Sequence, residues 1–382
     1  MSPRLAGLDG LRALACLWVV VHHMVVVNPP LWTPEGYWRR LLQRGDLGVG
    51  IFFVLSGFLL SHPFWDANLR GRPAPSLRIY FAKRIGRILP AYYVCVLACG
   101  ILAATRFEFA EVVRRCLAAM SFANSFFPDY FFPFLFNSPL WSISVEMLFY
   151  LLLPPYLAAA LRIRSTPRRL LLGVAVIVLL GAAQASFNVM MALSPDAPSG
   201  ERWAVTHNAP FLFSLFLMGV VASDCYTTLA HISGGTSRRL GALGDWLGGV
   251  LLVSVFAVDP ADVVPGIGRR GESYGLCYRW PVFGALIAVL LPSLCLSNFI
   301  GEKLDSPFLR RTAKLSYGIY LWHFPLLLMA TKHLLGTEPT FALRACGGVL
   351  VLAGSYLIAA VSYAVVERPV LDIVNRYARN TR

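Results

Sequence analysis

Charge is what this sequence has little of. Only 14% of its 382 residues are charged, while 57% are apolar; an ordinary soluble domain carries roughly 25% charged residues. A globule in water needs a polar skin and a disordered chain needs charge, so both classes are excluded. Acidic residues are the scarcest, 20 against 34 Lys and Arg. Residue-by-residue alternation of apolar and polar side chains is also missing, which excludes a membrane barrel. No CxxC pair occurs among the eight cysteines, Cys16, Cys95, Cys99, Cys116, Cys225, Cys277, Cys295 and Cys346. Most lie in or beside apolar runs and read as buried, inert thiols. Cys95 and Cys99 share a helix face, but two thiols alone make a poor metal site, and no metal is expected. A stretch long enough for a soluble domain is lacking too. The longest non-spanning stretch is about 106–140, with the aromatic-rich SFANSFFPDYFFPFLFNSPLW.

What the sequence does have is long apolar runs. A helix needs about 20 such residues to cross a hydrocarbon core of ~30 Å. Ten spans are predicted, over 9–27, 47–65, 87–105, 141–160, 169–187, 208–224, 240–258, 280–298, 313–335 and 343–366. The segment 116–127 is apolar but short and reads as interfacial or re-entrant. The first run is long, holds two histidines and lacks a small-x-small cleavage site, so it reads as an uncleaved span rather than a signal peptide. Ten spans put both termini on one side. Lys and Arg then divide 22 to 12 in favour of the terminal side. The positive-inside rule makes that side cytoplasmic. The expected fold is all-α: a polytopic membrane helix bundle of about ten transmembrane helices, both termini cytoplasmic. Residues 1–382 are expected to form a single integral membrane domain.

Ionisable residues inside spans are costly, and each is a functional candidate. Arg12 and His23 share span 1. Eleven residues are about three helical turns, so both side chains point the same way, His23 about 16 Å further along the axis. His22 is turned about 100° away. Glu146, in LWSISVEMLFYLLLP, sits about one and a half turns into span 4, at a depth comparable to that of His23. A histidine and a carboxylate at one level suit a general-base pair; a polar clasp between helices is the alternative. Arg84 and Arg87, in KRIGRILPAYY, lie one turn apart at the basic end of span 3. Guanidinium pairs there fit phosphates or serve as ordinary topology anchors. His323 lies near the middle of span 9, followed by Pro325, with Tyr317 and Tyr320 adding hydroxyls. Asp245, in span 7, is expected to be structural.

Together these segments resemble the membrane acyltransferase-3 family, which O-acylates bacterial cell-surface glycans. The matching stretches are LDGLRALACLWVVVHH, GVGIFFVLSGFLLS, KRIGRILPAYY, LWSISVEMLFYLLLP, LSYGIYLWHFPLL and the closing VERP, in the family's order across residues 8–369. The resemblance implies an O-acetyltransferase of the bacterial cytoplasmic membrane, moving an acyl group from cytoplasmic acetyl-CoA or another acyl-CoA to a hydroxyl of a surface or exported carbohydrate. It implies Arg12 and His23 in the catalytic motif, Arg84 and Arg87 at the donor side, and Glu146 in the active cavity, where the depth reading makes it the catalytic partner of His23. His323, Tyr320, Ser142 and Trp141 are candidates to line the cavity, the last three also to stabilise the oxyanion. Many relatives carry an acidic or polar residue where Gly50 stands. No counterpart of the soluble esterase-like domain of some relatives is expected. The rival reading is a proton-coupled transporter or a flippase for a lipid-linked glycan, which would also use ten spans and intramembrane titratable groups. Neither reading involves nucleic acid.

Overall fold

The computed structural model describes residues 5–27, 41–192, 204, 206–233, 238–258, 280–333 and 341–380. Among them no strand forms, and a helix stands at each of the ten predicted spans. These are α1 (Leu8–Val27), α2 (Leu47–Leu69), α3 (Leu77–Ala103), α5 (Trp141–Ala160), α6 (Thr166–Ala192), α7 (Ala209–Ile232), α8 (Arg238–Ala257), α9 (Val282–Leu296), α11 (Pro307–His333) and α12 (Phe341–Ser362). Shorter helices are α4 (Phe109–Met120), α10 (Ile300–Leu304) and α13 (Arg368–Asn380). Among the described residues eight helices are long and apolar enough to cross a membrane. The exceptions are instructive. Helix α9 has only 15 described residues, and α11 carries Arg310, Arg311 and Lys314 in its first turns.

Several helices outrun their predicted spans. Helix α3 begins at Leu77, ten residues earlier than expected, and its 27 residues reach about 40 Å. Arg84 and Arg87 therefore sit two to three turns inside a helix rather than at its end. The stretch Ser76–Arg87 is too charged to count as apolar but has no residue that breaks a helix, so the helix continues past the apolar run. The predicted interfacial segment 116–127 divides into the end of α4 and a 3-10 turn over Ala123–Phe126. At 12 residues, α4 spans only about 18 Å, too little to cross.

The chain divides into two compact units. The first comprises 1–15, 47–75 and 148–310; the second comprises 16–46, 76–147 and 311–382.

In the first unit α2 and α7 touch backbone to backbone. A Cβ on Gly57 would collide with the Phe216 carbonyl, and a Cβ on Gly219 with that of Val54. Without aqueous solvent to drive helices together, small residues that allow close approach are what van der Waals packing can use. Above this contact, Phe149 meets Phe213 and Phe216 at centroid distances of 5.7 and 5.3 Å. Near the other end, Trp65 donates to the Val220 carbonyl at 3.2 Å. Beside it the Arg169 guanidinium grips Asp224 with two bonds, at 3.0 and 2.9 Å, and lies 5.6 Å over the Trp65 ring. Asp245 accepts backbone N–H bonds from Asn298, Phe299 and Ile300 at the start of α10, a structural role as expected.

In the second unit Gly318 faces Ala359 where α11 meets α12, and Gly86 admits Val370 and Val374 where α3 meets α13. Tyr92 and Tyr93 on α3 donate to the Ala119 and Met120 carbonyls in the last turn of α4, where the Ala119 carbonyl also accepts the Phe122 N–H. Between α12 and α13 one π-turn covers Tyr363–Glu367, closed by a bond from the Arg368 N–H to the Tyr363 carbonyl.

Of the cysteines, Cys16, Cys95 and Cys99 are buried, whereas Cys225 and Cys346 are exposed, which corrects the expectation for those two. Spans present apolar side chains to lipid as readily as to the interior, so an apolar run does not fix burial. Burial pushes the Cys116 thiol on α4 up, with Cys99 adding to it. Cys277 lies outside the described residues.

Candidate active site

The site grows from α1. Its second half is pinned by the returning chain: Trp18 donates to the Leu41 carbonyl at 3.1 Å, the Arg44 guanidinium lies 6.0 Å from the Trp18 ring, and Gly45 leaves no room for a Cβ beside the Trp18 carbonyl and the His22 Cβ. That contact fixes the rotation of the helix at the level of its two histidines. His22 is buried, and its ring meets His23 edge-on at 5.1 Å.

His23 is half-buried and points to α11. Its Nδ1 lies 3.1 Å from Nε2 of His323, and its ring meets Phe324 edge-on at 5.1 Å. His323 is fully buried. Its Nδ1 faces the Tyr320 and Ile319 carbonyls at 2.8 and 3.2 Å. Carbonyls only accept, so His323 Nδ1 carries a hydrogen. In the neutral ring Nε2 is then an acceptor, and the hydrogen between the two rings belongs to His23 Nδ1. Neutral His23 is thereby held with its lone pair on Nε2. A base whose tautomer is set by a second group is the arrangement general-base catalysis requires.

Near this pair a second polar knot ties α5 to α11. Ser142 and Tyr320 are both buried, their hydroxyl oxygens 2.7 Å apart, and both face the Pro139 carbonyl, at 3.0 and 3.1 Å. One hydroxyl hydrogen goes to that carbonyl and the other to the partner hydroxyl. Trp141 stacks on Phe131 at 5.4 Å. Tyr317 donates to the Ile88 carbonyl at 2.8 Å. Glu146 is half-buried on α5, within electrostatic range of Tyr80, Tyr317 and Tyr320.

Arg84 and Arg87 are half-buried on α3. Arg84 acts on Tyr80, and Arg87 acts on Glu367, the buried carboxylate of the π-turn. Arg12 is half-buried on α1, three turns before His23. Gly50 is buried in the first turn of α2. Among the described residues no group of three or more His, Cys, Asp or Glu is placed to hold a metal ion.

Two cavities belong to the first unit. One, of about 510 Å³, is apolar and lined by α6, α7, α8 and α9. The other, of about 460 Å³, is polar, with His62, Asp66, Arg70, Arg72 and His231 in its wall.

The structure thus brings His23 together with His323, and Ser142 with Tyr320. Helix rise made the comparable depth of His23 and Glu146 legible, whereas the direction a side chain faces depends on how helices pack, so His323 was not named as a partner of His23. Two residue pairs escaped that reasoning. Arg169 and Asp224 are both nearly buried, and nothing in the sequence pairs them. Glu367 was only a letter of the VERP stretch.

Comparison with known proteins now bears on these residues. An acyltransferase domain model matches residues 5–360. Among curated proteins the chain is 26% identical to the peptidoglycan O-acetyltransferase OatA of Listeria monocytogenes, over 95% of this chain and 55% of that protein. It is 27% identical to the putative peptidoglycan O-acetyltransferase YrhL of Bacillus subtilis, over 95% and 54%. It is 26% identical to the O-acetyltransferase OatA of Staphylococcus aureus, over 97% and 58%. The chain therefore spans a little over half the length of the curated relatives it matches. No solved structure matches it. A family model running from ahead of α1 almost to the end of α12 takes in His23, Arg84, Arg87, Glu146 and His323 alike, and the chain belongs to the acyltransferase-3 family.

Proposed function

We propose that this chain is a multi-pass O-acetyltransferase of the bacterial cytoplasmic membrane, moving an acetyl group from a cytoplasmic acyl-CoA to a hydroxyl of a cell-wall glycan. Peptidoglycan, named for the Listeria relative, is the first acceptor to try. Ten crossings with both termini cytoplasmic would bring the donor to the basic face and the acceptor to the other.

The observation that carries this reading is the His23–His323 contact, 3.1 Å between Nδ1 and Nε2. His23 Nε2 takes the proton of the glycan hydroxyl as its oxygen attacks the thioester carbonyl. The carbon–sulfur bond then breaks, and the proton passes from the imidazolium to the leaving thiolate. His323 holds the tautomer that makes this possible. Glu146 favours the imidazolium electrostatically. Arg84 and Arg87 take the donor phosphates.

The test is transfer of labelled acetyl from acetyl-CoA to peptidoglycan fragments by purified protein in detergent. His23→Ala should lower turnover at least about 100-fold, since a general base supplies roughly 10²–10⁴. Unfolding temperature and extraction should stay as in the unaltered protein. Undiminished transfer by His23→Ala refutes the mechanism.

A further inference from the structure

Helix α11 contains an anomaly that its neighbours resolve. Pro325 has no N–H, so the carbonyl four residues earlier, that of Leu321, loses its donor within the helix. Inside a membrane water cannot take over, and the group has to be met by protein. Two side chains meet it. Asn137 donates its Nδ2 hydrogen to the Leu321 carbonyl at 3.1 Å, and the Cys95 Sγ approaches the same oxygen at 3.6 Å.

Asn137 is fully buried in an irregular turn just ahead of α5, with φ −146° and ψ 56°. Its Nδ2 also faces the sulfurs of Cys95 and Cys99, at 3.4 and 3.6 Å. Its Oδ1 is buried without a hydrogen-bond partner. Leaving that oxygen unsatisfied is unfavourable, so the amide is held here by what its nitrogen does. A buried asparagine that satisfies one end only is explained by the acceptor it serves.

Leu321 is two residues before His323 and next to Tyr320, whose carbonyl receives the His323 Nδ1 hydrogen. The carbonyls of 319, 320 and 321 form one turn of α11. The first two set the imidazole of His323, and the third is the one Pro325 releases. We infer that Asn137, with Cys95, is a positioning residue: by holding the Leu321 carbonyl it fixes the turn of α11 from which His323 sets the tautomer of His23. The inference rests on the proposed role of the histidine pair, but its geometry does not.

A double-mutant cycle tests it. Asn137→Leu removes the donor. Pro325→Ala returns an N–H to position 325, which can satisfy Leu321 within the helix. Asn137→Leu should lower kcat about tenfold or more, because misplaced catalytic groups lose rate steeply, with KM for both substrates unchanged. Adding Pro325→Ala to Asn137→Leu should restore most of the loss. A second readout needs no turnover. In protein labelled with ¹⁵N-histidine, the His323 Nδ1–H signal, assigned by its loss in His323→Gln, should shift in Asn137→Leu and return in the double variant. If the unaltered protein transfers no acetyl group, the functional reading falls and the spectrum alone decides the inference. A His323 signal unmoved by Asn137→Leu overturns it. So does a loss that Pro325→Ala does not relieve, which would mark Asn137 as a packing residue only.

Discussion

At the scale of single residues, the candidate site is built from groups that lipid penalises. His23, Glu146 and His323 stood out because an ionisable side chain in an apolar run is conspicuous, and Arg84 and Arg87 because two arginines one turn apart flank such a run. Their partners were less so. The contact between His23 and His323 joins positions 300 residues apart, and nothing in either run announces the other. Asn137 was hidden for a different reason. One asparagine in a loop of aromatic residues looks like a turn former, and its purpose becomes visible only with the carbonyl that Pro325 releases. The arginine pair gives a separable prediction. Arg84→Ala combined with Arg87→Ala should raise KM for acyl-CoA about tenfold or more while leaving kcat nearly unchanged, since phosphate contacts remote from the thioester bind ground state and transition state alike. Steady-state kinetics with varied donor checks it; unchanged donor KM with impaired membrane insertion would make the pair topology anchors.

At the scale of elements, apolar runs located the helices well and their ends poorly. The bilayer sets the length of an apolar run, but a helix stops only where capping or breaking residues stop it. Hence α3 gains ten residues at its start and carries its arginines inside. Helix pairing was not legible from periodicity, because spans are apolar all round and present no single sticky face. Glycine was the available clue. Gly57 and Gly219 each lie against a carbonyl of the opposite helix. Gly57→Val or Gly219→Val should destabilise the protein by about 1–3 kcal/mol or more, the usual cost of overpacking. Gly354→Ala is the control. A Cβ there meets only the Leu326 Cδ1, at an ordinary 3.5 Å, and the substitution should be neutral or stabilising by about 0.5–1 kcal/mol. Thermal unfolding in one detergent compares all three.

At the scale of the whole molecule, composition gave the membrane class, and long apolar runs without alternation made it helical. The basic residues add an orientation that can be measured. In a version without native cysteines, Glu108→Cys should react with a membrane-impermeant maleimide on intact cells, whereas Arg72→Cys and Arg164→Cys should react only after permeabilisation. All three positions are exposed, so a silent site would reflect sidedness rather than burial. The reverse pattern would turn the molecule over and leave the arginine pair on the wrong side for a cytoplasmic donor.

The Arg169–Asp224 bridge constrains how this chain is made. Each partner is nearly sealed from solvent, with 2% and 3% of its side chain accessible. Either charge stranded alone would be several kcal/mol out of balance. The ribosome delivers α6 before α7, so during synthesis Arg169 exists before its counter-ion. The two helices are therefore best handed to the lipid as one hairpin, with the guanidinium kept at the aqueous margin until the aspartate arrives.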